Sequence, residues 1–188
     1  MFIIGLTGLR GAGKSTITKT MNKKFGFPII SLGDKVRSFI PENKKEKTFE
    51  AILEISLKLR EKLESGSIGE LFFSEIQNHF KKRTEAIVVD SIRSKCDEDF
   101  FRKVSPNFSM IGVYASEEER YRRIKIRKRI DDSLEWETFL KNEKREIQLL
   151  GYNSLSTPDF CINTTGMEIS RMQREIEKIV FSIRKTLL

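Results

Sequence analysis

The sequence contains little cysteine, histidine, proline or glycine, and these shortages exclude several classes of protein. Its two cysteines, Cys96 and Cys161, lie far apart, outside any C-x-x-C pattern and without a histidine close by in sequence. Zinc sites and disulfide frameworks need several such residues at regular spacing. Four prolines and eleven glycines are too few for a collagen-like or disordered chain. We therefore predict a globular protein that lacks zinc and disulfides and is suited to a reducing cytoplasm.

Long apolar runs are also missing. No run approaches the roughly 20 residues needed to cross a bilayer. The apolar amino-terminal stretch MFIIGLTG has neither a basic segment before it nor a cleavage site of small residues after it. It leads directly into a glycine-rich loop, as a buried strand would. The sequence thus predicts a soluble, cytoplasmic protein without a membrane partner.

Charged residues, in contrast, are plentiful and unbalanced. Lysine and arginine number 35 against 27 aspartates and glutamates, which gives a formal net charge of +8. A positive net charge favours anionic partners such as nucleotides, nucleic acid or acidic membrane surfaces, without choosing among them. The length of 188 residues is typical of one domain, and no repeat or linker divides the chain.

Short apolar runs alternate with longer helical stretches, which predicts an α/β fold with a parallel sheet and right-handed crossovers. The predicted strands cover residues 2–6, 27–31, 86–89, 108–114 and 159–162. The first predicted helix runs from about Lys14 to Gly26, and the others cover residues 49–63, 68–82, 116–129, 134–150 and 167–186. Glycines at 26 and 151 are predicted helix ends.

The strongest signal is the pattern G-x-x-x-x-G-K-S between the first strand and the first helix. Its members are Gly8, Leu9, Arg10, Gly11, Ala12, Gly13, Lys14 and Ser15. Glycines let backbone N–H groups turn towards phosphate oxygens, and the helix amino terminus adds partial positive charge. Lys14 can reach the β- and γ-phosphates, and the Ser15 hydroxyl is placed to bind Mg²⁺. The pattern predicts binding of ATP with Mg²⁺.

Asp90 is the second candidate ligand for Mg²⁺. It directly follows an apolar strand and so resembles the end of a Walker B strand, whose carboxylate holds Mg²⁺ directly or through water. The alternative is that Asp90 caps a helix or a turn.

Two further segments resemble adenylate kinases. The segment ISLGDKVR is similar to the I-S-x-G-D-x-x-R of their second strand and following turn, and DSIR is similar to a shortened D-G-F-P-R element. The resemblance implies that an acceptor site is lined by Ser31, Gly33, Asp34, Arg37 and Arg93, of which Arg93 grips an acceptor phosphate. A guanidinium suits bidentate binding of phosphate. Asp34 could instead be only the N-cap of a short helix.

A basic run from residue 120 to 129, followed by Asp131 and Asp132, resembles the start of the lid in nucleotide kinases. Lid arginines close over the phosphates in those enzymes. Here Arg123 and Arg127 could neutralise charge on the transferred phosphoryl group, with Arg129 beside them and Arg145 approaching from the next helix. The alternatives are a solvated basic helix face and an RNA-binding surface.

Over nearly its whole length the chain resembles a family of small archaeal P-loop proteins related to adenylate kinase and dephospho-CoA kinase. The resemblance implies a P-loop NTPase fold of five parallel strands in the order 2-3-1-4-5. The absence of a linker predicts one domain, residues 1–188. The helices between the second and third strands are too long for a simple βαβ crossover, which predicts a helical insertion, residues 34–82, on the acceptor side, and the resemblance adds a short basic lid, residues 116–135. By similarity to the last strand of dephospho-CoA kinases, backbone near Asn163 to Gly166 would lie beside the adenine. The alternative is that this segment is only a buried strand followed by a turn.

These features predict an enzyme that transfers the γ-phosphate of MgATP to a small phosphorylated acceptor. Lys14, Arg93, Arg123 and Arg127 would act in catalysis, mostly by positioning and charge neutralisation. Two alternatives stay open, because P-loop sheets support many activities. One is a nucleotide-dependent regulatory ATPase, whose partner surface would be the helices from Lys44 to Lys82. The other is an RNA-associated kinase or ATPase.

Overall fold

A computed structural model describes residues 1–40, 48–129 and 131–185. Parts of three predicted segments lie outside the described residues: 41–47 of the insertion, 130 of the lid and Thr186 of the last helix. Five parallel strands form one sheet in the order β2-β3-β1-β4-β5. The strands are β1 Phe2–Thr7, β2 Ile29–Ser31, β3 Ala86–Ile92, β4 Phe108–Tyr114 and β5 Phe160–Asn163. The predicted fold class and strand order are confirmed.

Helices connect the strands and cover both faces of the sheet. In chain order they are α1 Lys14–Phe25, α2 Leu32–Ser38, α3 Phe49–Lys62, α4 Phe73–Lys81, α5 Lys95–Val104, α6 Glu117–Arg127, α7 Trp136–Leu150 and α8 Ile169–Lys185. Short 3₁₀ helices cover Ile68–Phe72 and Tyr152–Ser154. As predicted, Gly26 and Gly151 end α1 and α7 in the left-handed conformation. No helix in the described ranges is both long and apolar enough to span a membrane.

Two helical features differ from the prediction. The helix α5 was not predicted, because Asp97 and Glu98 occupy its buried face and interrupt the apolar stripe that marks an amphipathic helix. The single helix predicted for residues 68–82 is a 3₁₀ turn followed by α4. Gly69 lies in that turn, and a Cβ there would come within 2.7 Å of the Phe101 ring. The 3₁₀ turn, which replaces the first part of the predicted helix, thus packs tightly against α5.

Two apolar layers, one on each face of the sheet, form most of the core in the described ranges, and a small third cluster joins α3 to α7. Alternation along β1 sends Phe2, Ile4 and Leu6 to the layer covered by α1 and α8. Ile3 points to the other layer, which is covered by α2, α3, α4 and α5. Because β1 and β3 are buried on both faces, they read as continuous apolar runs in the sequence.

A buried carboxylate joins the helices of the insertion to α5. Asp97 is fully buried and accepts hydrogen bonds from the Arg60 guanidinium of α3 at 2.7 and 3.0 Å. It also accepts from the Ser67 hydroxyl and the Ile68 backbone N–H, both at 3.0 Å. Because its partners come from α3 and from the 3₁₀ turn, Asp97 fixes the insertion beside the end of β3.

Candidate active site

The glycine-rich loop joins β1 to α1 at the carboxyl edge of the sheet. Gly8, Gly11 and Gly13 have φ values of 139°, 79° and 100°, which residues with a Cβ rarely adopt. A Cβ at Gly8 would lie 2.2 Å from the Val113 carbonyl oxygen, and one at Gly11 would lie 2.5 Å from that of Arg120. Besides giving phosphate access to the backbone, Gly8 and Gly11 therefore allow β4 and α6 to pack against the loop.

Lys14, the predicted phosphate-binding lysine, is 7% exposed. Its ammonium donates to the carbonyl oxygens of Gly8 at 2.5 Å and Leu9 at 3.0 Å. Burial, followed by the charge of Arg93, lowers the pKa of Lys14 from 10.5 to about 7, although Asp90 acts in the opposite direction. No ion pair between Lys14 and a carboxylate occurs in the described part of the chain. An anion bound here would stabilise the charged lysine.

Asp90 lies on β3, directly beside the strand that leads into the loop. Leu6 pairs with Asp90 whereas Thr7 pairs with Ile92, so Ser91 forms a bulge. Ser91 has a φ of 72°, a left-handed conformation that costs about 1 kcal/mol or more in a non-glycine residue. Its hydroxyl donates to Asp90 Oδ1 at 3.2 Å. The bulge thereby places a carboxylate and a hydroxyl together at the carboxyl ends of the strands.

The predicted metal ligands Asp90 and Ser15 are too few to hold a metal ion without other ligands, but they suit Mg²⁺. Asp90 does not cap the following helix, because the Ser94 hydroxyl accepts the Asp97 N–H at the start of α5. Among the described residues, no group of three or more His, Cys, Asp or Glu side chains could hold a metal ion. Mg²⁺ commonly takes one or two protein oxygens, several waters and phosphate oxygens. The residues present match that pattern.

A cavity of about 260 Å³ lies beside the loop and collects most of the predicted site residues. Those that line it are Arg10, Gly11, Gly13, Lys14, Ser15, Ser31, Asp34, Arg37, Asp90, Arg93, Arg123 and Arg127. Gly33 lines a narrower neighbouring cavity together with Arg37 and Arg93. Gly8, Leu9 and Ala12 line a different cavity behind the loop. We name the 260 Å³ space the loop cavity.

The turn between β2 and α2 places two predicted acceptor residues at the loop cavity. The Ser31 hydroxyl caps α2 by accepting the Asp34 N–H at 3.2 Å. Asp34 therefore lies in the first turn of the helix, and the alternative that it is the N-cap is wrong. Its carboxylate accepts from Arg37 at 3.1 Å. A Cβ at Gly33 would lie 3.3 Å from the Arg37 guanidinium, so the turn packs closely on that side chain.

Two buried carboxylates neutralise the arginines of the loop cavity. Asp131 and Glu146 have side chains only 1% and 3% exposed. Arg10 joins them, at 2.8 Å from Asp131 and 3.2 Å from Glu146. Arg37 also pairs with Asp131, at 3.0 Å, and Arg93 pairs with Glu146. Burial alone would raise the pKa of Asp131, but Arg37 and Arg10 lower it. Both acceptor arginines thus have carboxylate partners within the chain.

The basic helix α6 sends some arginines to the cavity and keeps others outside it. Arg123 donates to the Gly11 carbonyl at 3.2 Å and to Thr164 at 2.8 and 2.7 Å, so it ties the loop to the residues after β5. Arg127 lines the cavity while paired with Asp132 at 2.8 and 2.6 Å.

The expectation for Arg145 is wrong. This residue lies 3.9 Å from Glu50 and is absent from the lining of the loop cavity, which Arg129 does join. Between α6 and α7, Asp131 and Asp132 lie outside that lining and pair with Arg37 and Arg127, which belong to it.

Three residues near the site were not predicted from the sequence. Glu146, Ser91 and Tyr152 show no motif, and Tyr152 reaches the loop by donating its hydroxyl to the Gly8 carbonyl at 3.4 Å. Burial raises the pKa of Tyr152. Only Glu146 left a signal, namely a carboxylate within the buried stripe of α7, which consists of Phe139, Asn142, Glu146 and Leu150. A charged residue on such a stripe needs a partner.

Known proteins resemble this chain in sequence or in fold. Residues 7–139 match the family described as AAA domain. The UPF0200 protein of Pyrococcus abyssi is 33% identical over 183 residues, which cover 96% of this chain and 96% of that protein. That identity and coverage extend well beyond the glycine-rich loop.

Two solved structures resemble the whole chain. A putative kinase from Chloroflexus aurantiacus has a TM-score of 0.61 and 14% identity, with 96% of each chain covered. A shikimate kinase from Acinetobacter baumannii, solved with shikimate, has a TM-score of 0.57 and 16% identity, with 97% of this chain and 94% of that one covered. At such identities the likeness concerns the fold alone. The sequence relationship goes further, and the chain belongs to the UPF0200 family, with a P-loop of the AAA-domain type in a fold shared with small kinases.

Proposed function

We propose that this protein is a phosphotransferase that moves the γ-phosphoryl group of MgATP to a small phosphorylated acceptor. The observation that carries the proposal is the loop cavity, where the P-loop faces a second set of anion-binding side chains, Arg37 and Arg93. A protein that only binds and releases a nucleotide does not need this second set. The fold shared with small kinases supports the same function.

On the donor side, Lys14 and the backbone N–H groups at the start of α1 would hold the phosphates. Ser15 and Asp90 would hold Mg²⁺, which supplies charge neutralisation when bound. Arg123 is already fixed between the loop and Thr164, a position from which it would border the nucleotide. Arg127 would turn to the transferred group by leaving Asp132.

On the acceptor side, Arg37 and Arg93 would orient the acceptor for in-line attack. Both are paired with carboxylates, so an acceptor anion would replace Asp131 or Glu146 as their partner. In the insertion 34–82, Phe49 of α3 lines the narrow cavity next to these arginines. We propose that this insertion forms the acceptor wall and that residues 116–135 form the lid. Positioning would supply catalysis without a general base.

An RNA-associated role has weaker support. Four arginines of the basic run already have carboxylate partners in the chain: Arg120 with Glu143, Arg122 and Arg123 with Glu119, and Arg127 with Asp132. Ion pairs of this kind reduce the positive charge that a phosphate backbone would meet. The regulatory ATPase stays as the alternative that the following experiment addresses.

The test measures ADP release from MgATP by the purified protein, alone and with nucleoside monophosphates, dephospho-CoA, shikimate or short RNA. Mass spectrometry identifies any phosphorylated product, and a Lys14→Met protein gives the background from contaminating ATPases. We expect one of the phosphorylated acceptors, and not shikimate, to accelerate ADP release and to gain one phosphate per ADP. A slow rate that no acceptor changes would overturn the proposal and favour the regulatory ATPase.

A further inference from the structure

A second cavity, of about 460 Å³, lies behind the glycine-rich loop. The ends of β1 and β4 form one side of it, and the end of α7 with residues 152–158 forms the other. We name it the rear cavity. Gly8, Leu9 and Ala12 line it, whereas the other residues of the same loop, 10–11 and 13–15, line the loop cavity. The loop is therefore a wall between two separate spaces.

The segment that covers the rear cavity is held in place at three points. Pro158 lies on Gly112 of β4, where a Cβ would come within 2.8 Å of its ring. Asp159 accepts the Met110 N–H at 2.7 Å. Glu98 accepts the Ser156 N–H at 2.9 Å. Such contacts with β4 and α5 make the rear cavity a defined part of the fold.

A buried hydroxyl on the strand side has no partner. Thr7 is 6% exposed and lines the rear cavity, and its Oγ1 makes no hydrogen bond in the described part of the chain. Alternation along β1 places this side chain on the face opposite Leu6, which is the face that residues 152–158 cover. Native proteins leave few buried polar groups unsatisfied. A hydrogen bond from a ligand would satisfy this one.

Charge limits what the rear cavity can bind. Among the described residues that line it, Arg120 is the one that carries a charge. Both its terminal nitrogens pair with Glu143, while its Nε donates to the Ala115 carbonyl at 3.1 Å. The guanidinium is thus already satisfied. The other lining residues in the described part of the chain are uncharged. Seven of them are apolar, namely Leu9, Ala12, Val113, Ala115, Ile147, Leu155 and Pro158, and the polar groups are hydroxyls or amides of Thr7, Tyr114, Tyr152, Asn153, Ser156 and Thr157. An ionic ligand would lose part of its hydration and find no unpaired opposite charge among them.

We propose that the rear cavity binds an uncharged, largely apolar small molecule with a hydrogen-bonding group that pairs with the Thr7 hydroxyl. Such a ligand would contact the backbone of Gly8 and Leu9, whose carbonyl oxygens accept from the Lys14 ammonium. It would therefore change nucleotide affinity, and the nucleotide would change its affinity by the same factor. The inference depends on nucleotide binding at the loop and does not require phosphoryl transfer.

The test uses indole and benzamide as uncharged probes and sodium benzoate as the charged counterpart. Saturation-transfer NMR and calorimetry would measure their binding to the wild type, to Thr7→Val and to Thr157→Trp, which narrows the exposed entrance. Thr20→Val, on α1 and outside both cavities, is the control. We expect millimolar binding of the uncharged probes, a loss of about tenfold in Thr7→Val, no binding to Thr157→Trp and unchanged binding to Thr20→Val.

A saturating probe should also shift the dissociation constant of ATP for the wild type, but not for Thr157→Trp. Absence of probe binding, or equal binding to the wild type and Thr157→Trp, would overturn the site. Unchanged affinity in a folded Thr7→Val protein would overturn the role of the hydroxyl, and equal binding of benzoate would overturn the ligand class. Should Thr7→Val not fold, Thr157→Trp, a change at an exposed position, decides the result.

Discussion

The positively charged side chains on the two sides of the loop cavity have different partners. On the P-loop side, Lys14 donates to backbone carbonyls, and its pKa falls to about 7. On the opposite side, Arg37 and Arg93 pair with the buried carboxylates of Asp131 and Glu146. A buried cation without a counter-charge gains directly from a bound anion, whereas a paired one must first give up its partner. Nucleotide binding should therefore need no acceptor, while acceptor binding should need ion-pair exchange.

The largest expected effect comes from removing an acceptor-side arginine. Arg93→Ala should reduce phosphoryl transfer about 1,000-fold and leave ATP affinity within about threefold, because Arg93 serves the acceptor. Arg93→Lys should recover only part of the rate, since an ammonium lacks the guanidinium fork. Transfer rates and calorimetric ATP affinities provide the measurements. Unchanged transfer in Arg93→Ala would show that the acceptor assignment is wrong, although the P-loop assignment would survive.

The same variant tests the ion-pair exchange. Arg93→Ala leaves Glu146 with Arg10 as its remaining partner, so the free energy of unfolding should fall by about 3 kcal/mol. Adding Glu146→Gln should restore part of that loss, because a buried amide needs no counter-charge. Urea unfolding of both proteins measures the difference. Equal stabilities would contradict the view that Glu146 depends on Arg93.

On the P-loop side, Lys14→Met should weaken ATP binding about 100-fold, since it removes a charge-assisted interaction with the phosphates. Lys19→Met is the matched control, because Lys19 is exposed on the same helix. Calorimetry with MgATP gives both affinities. If the two variants lose affinity equally, net charge rather than the Lys14 position determines binding.

The low pKa of Lys14 predicts a dependence on pH. Its pKa is about 7 in the folded protein against 10.5 for a free lysine, so the unfolded chain binds more protons between these two pH values. Burial of the protonated lysine destabilises the folded protein, and below pH 7 this destabilisation should be present in full. Above pH 7 the free energy of unfolding should rise by about 1 kcal/mol per pH unit, as the buried lysine loses its proton. Urea unfolding of the wild type and Lys14→Met at pH 7 and pH 9 tests this. The advantage of the variant should shrink at pH 9.

A smaller effect separates two neighbouring arginines on α6. Arg123 joins the loop to Thr164, whereas Arg122 is 61% exposed and pairs with Glu119. Arg123→Ala should weaken ATP binding about tenfold, and Arg122→Ala should change it by less than about twofold. Both substitutions remove one positive charge, so the comparison isolates position. Equal losses would indicate long-range attraction instead of a local contact.

The smallest effect concerns the bulge in β3. Ser91 has a φ of 72°, which glycine adopts without strain. Ser91→Gly should therefore change the free energy of unfolding by no more than about 1 kcal/mol in either direction. Ser91→Val should destabilise the protein by more, because a β-branched residue rarely adopts this conformation. Thermal unfolding compares the variants, and a Val variant as stable as the Gly variant would contradict the assigned backbone geometry.

The features that could be predicted from the sequence are those encoded by residues close together in the chain. The P-loop, the five strands and the capping glycines each depend on a pattern of a few neighbouring positions. The structure has them all, with strand ends that differ from the prediction by up to three residues, as where β3 continues past Val89 to Ile92. The arginine partners could not be predicted in this way. Arg10 and Glu146 are 136 positions apart, and their pairing depends on how α7 crosses the loop.

Helix α5 was missed for a related reason. Its buried positions include Asp97 and Glu98, whose partners Arg60 and Ser156 come from distant segments. Periodicity identifies a helix when apolar residues form its buried face. Where a buried face is polar, the pattern becomes visible only once its partners are known.

The packing of Gly8 against Val113 affects how genetic results at the loop should be interpreted. A methyl group at position 8 would collide with the backbone of β4, so Gly8→Ala should remove folded protein as well as nucleotide binding. Loss of function in a cell carrying that allele would then report abundance and not chemistry. Lys14→Met is the better allele for asking what the organism loses when the protein is present but cannot hold a nucleotide.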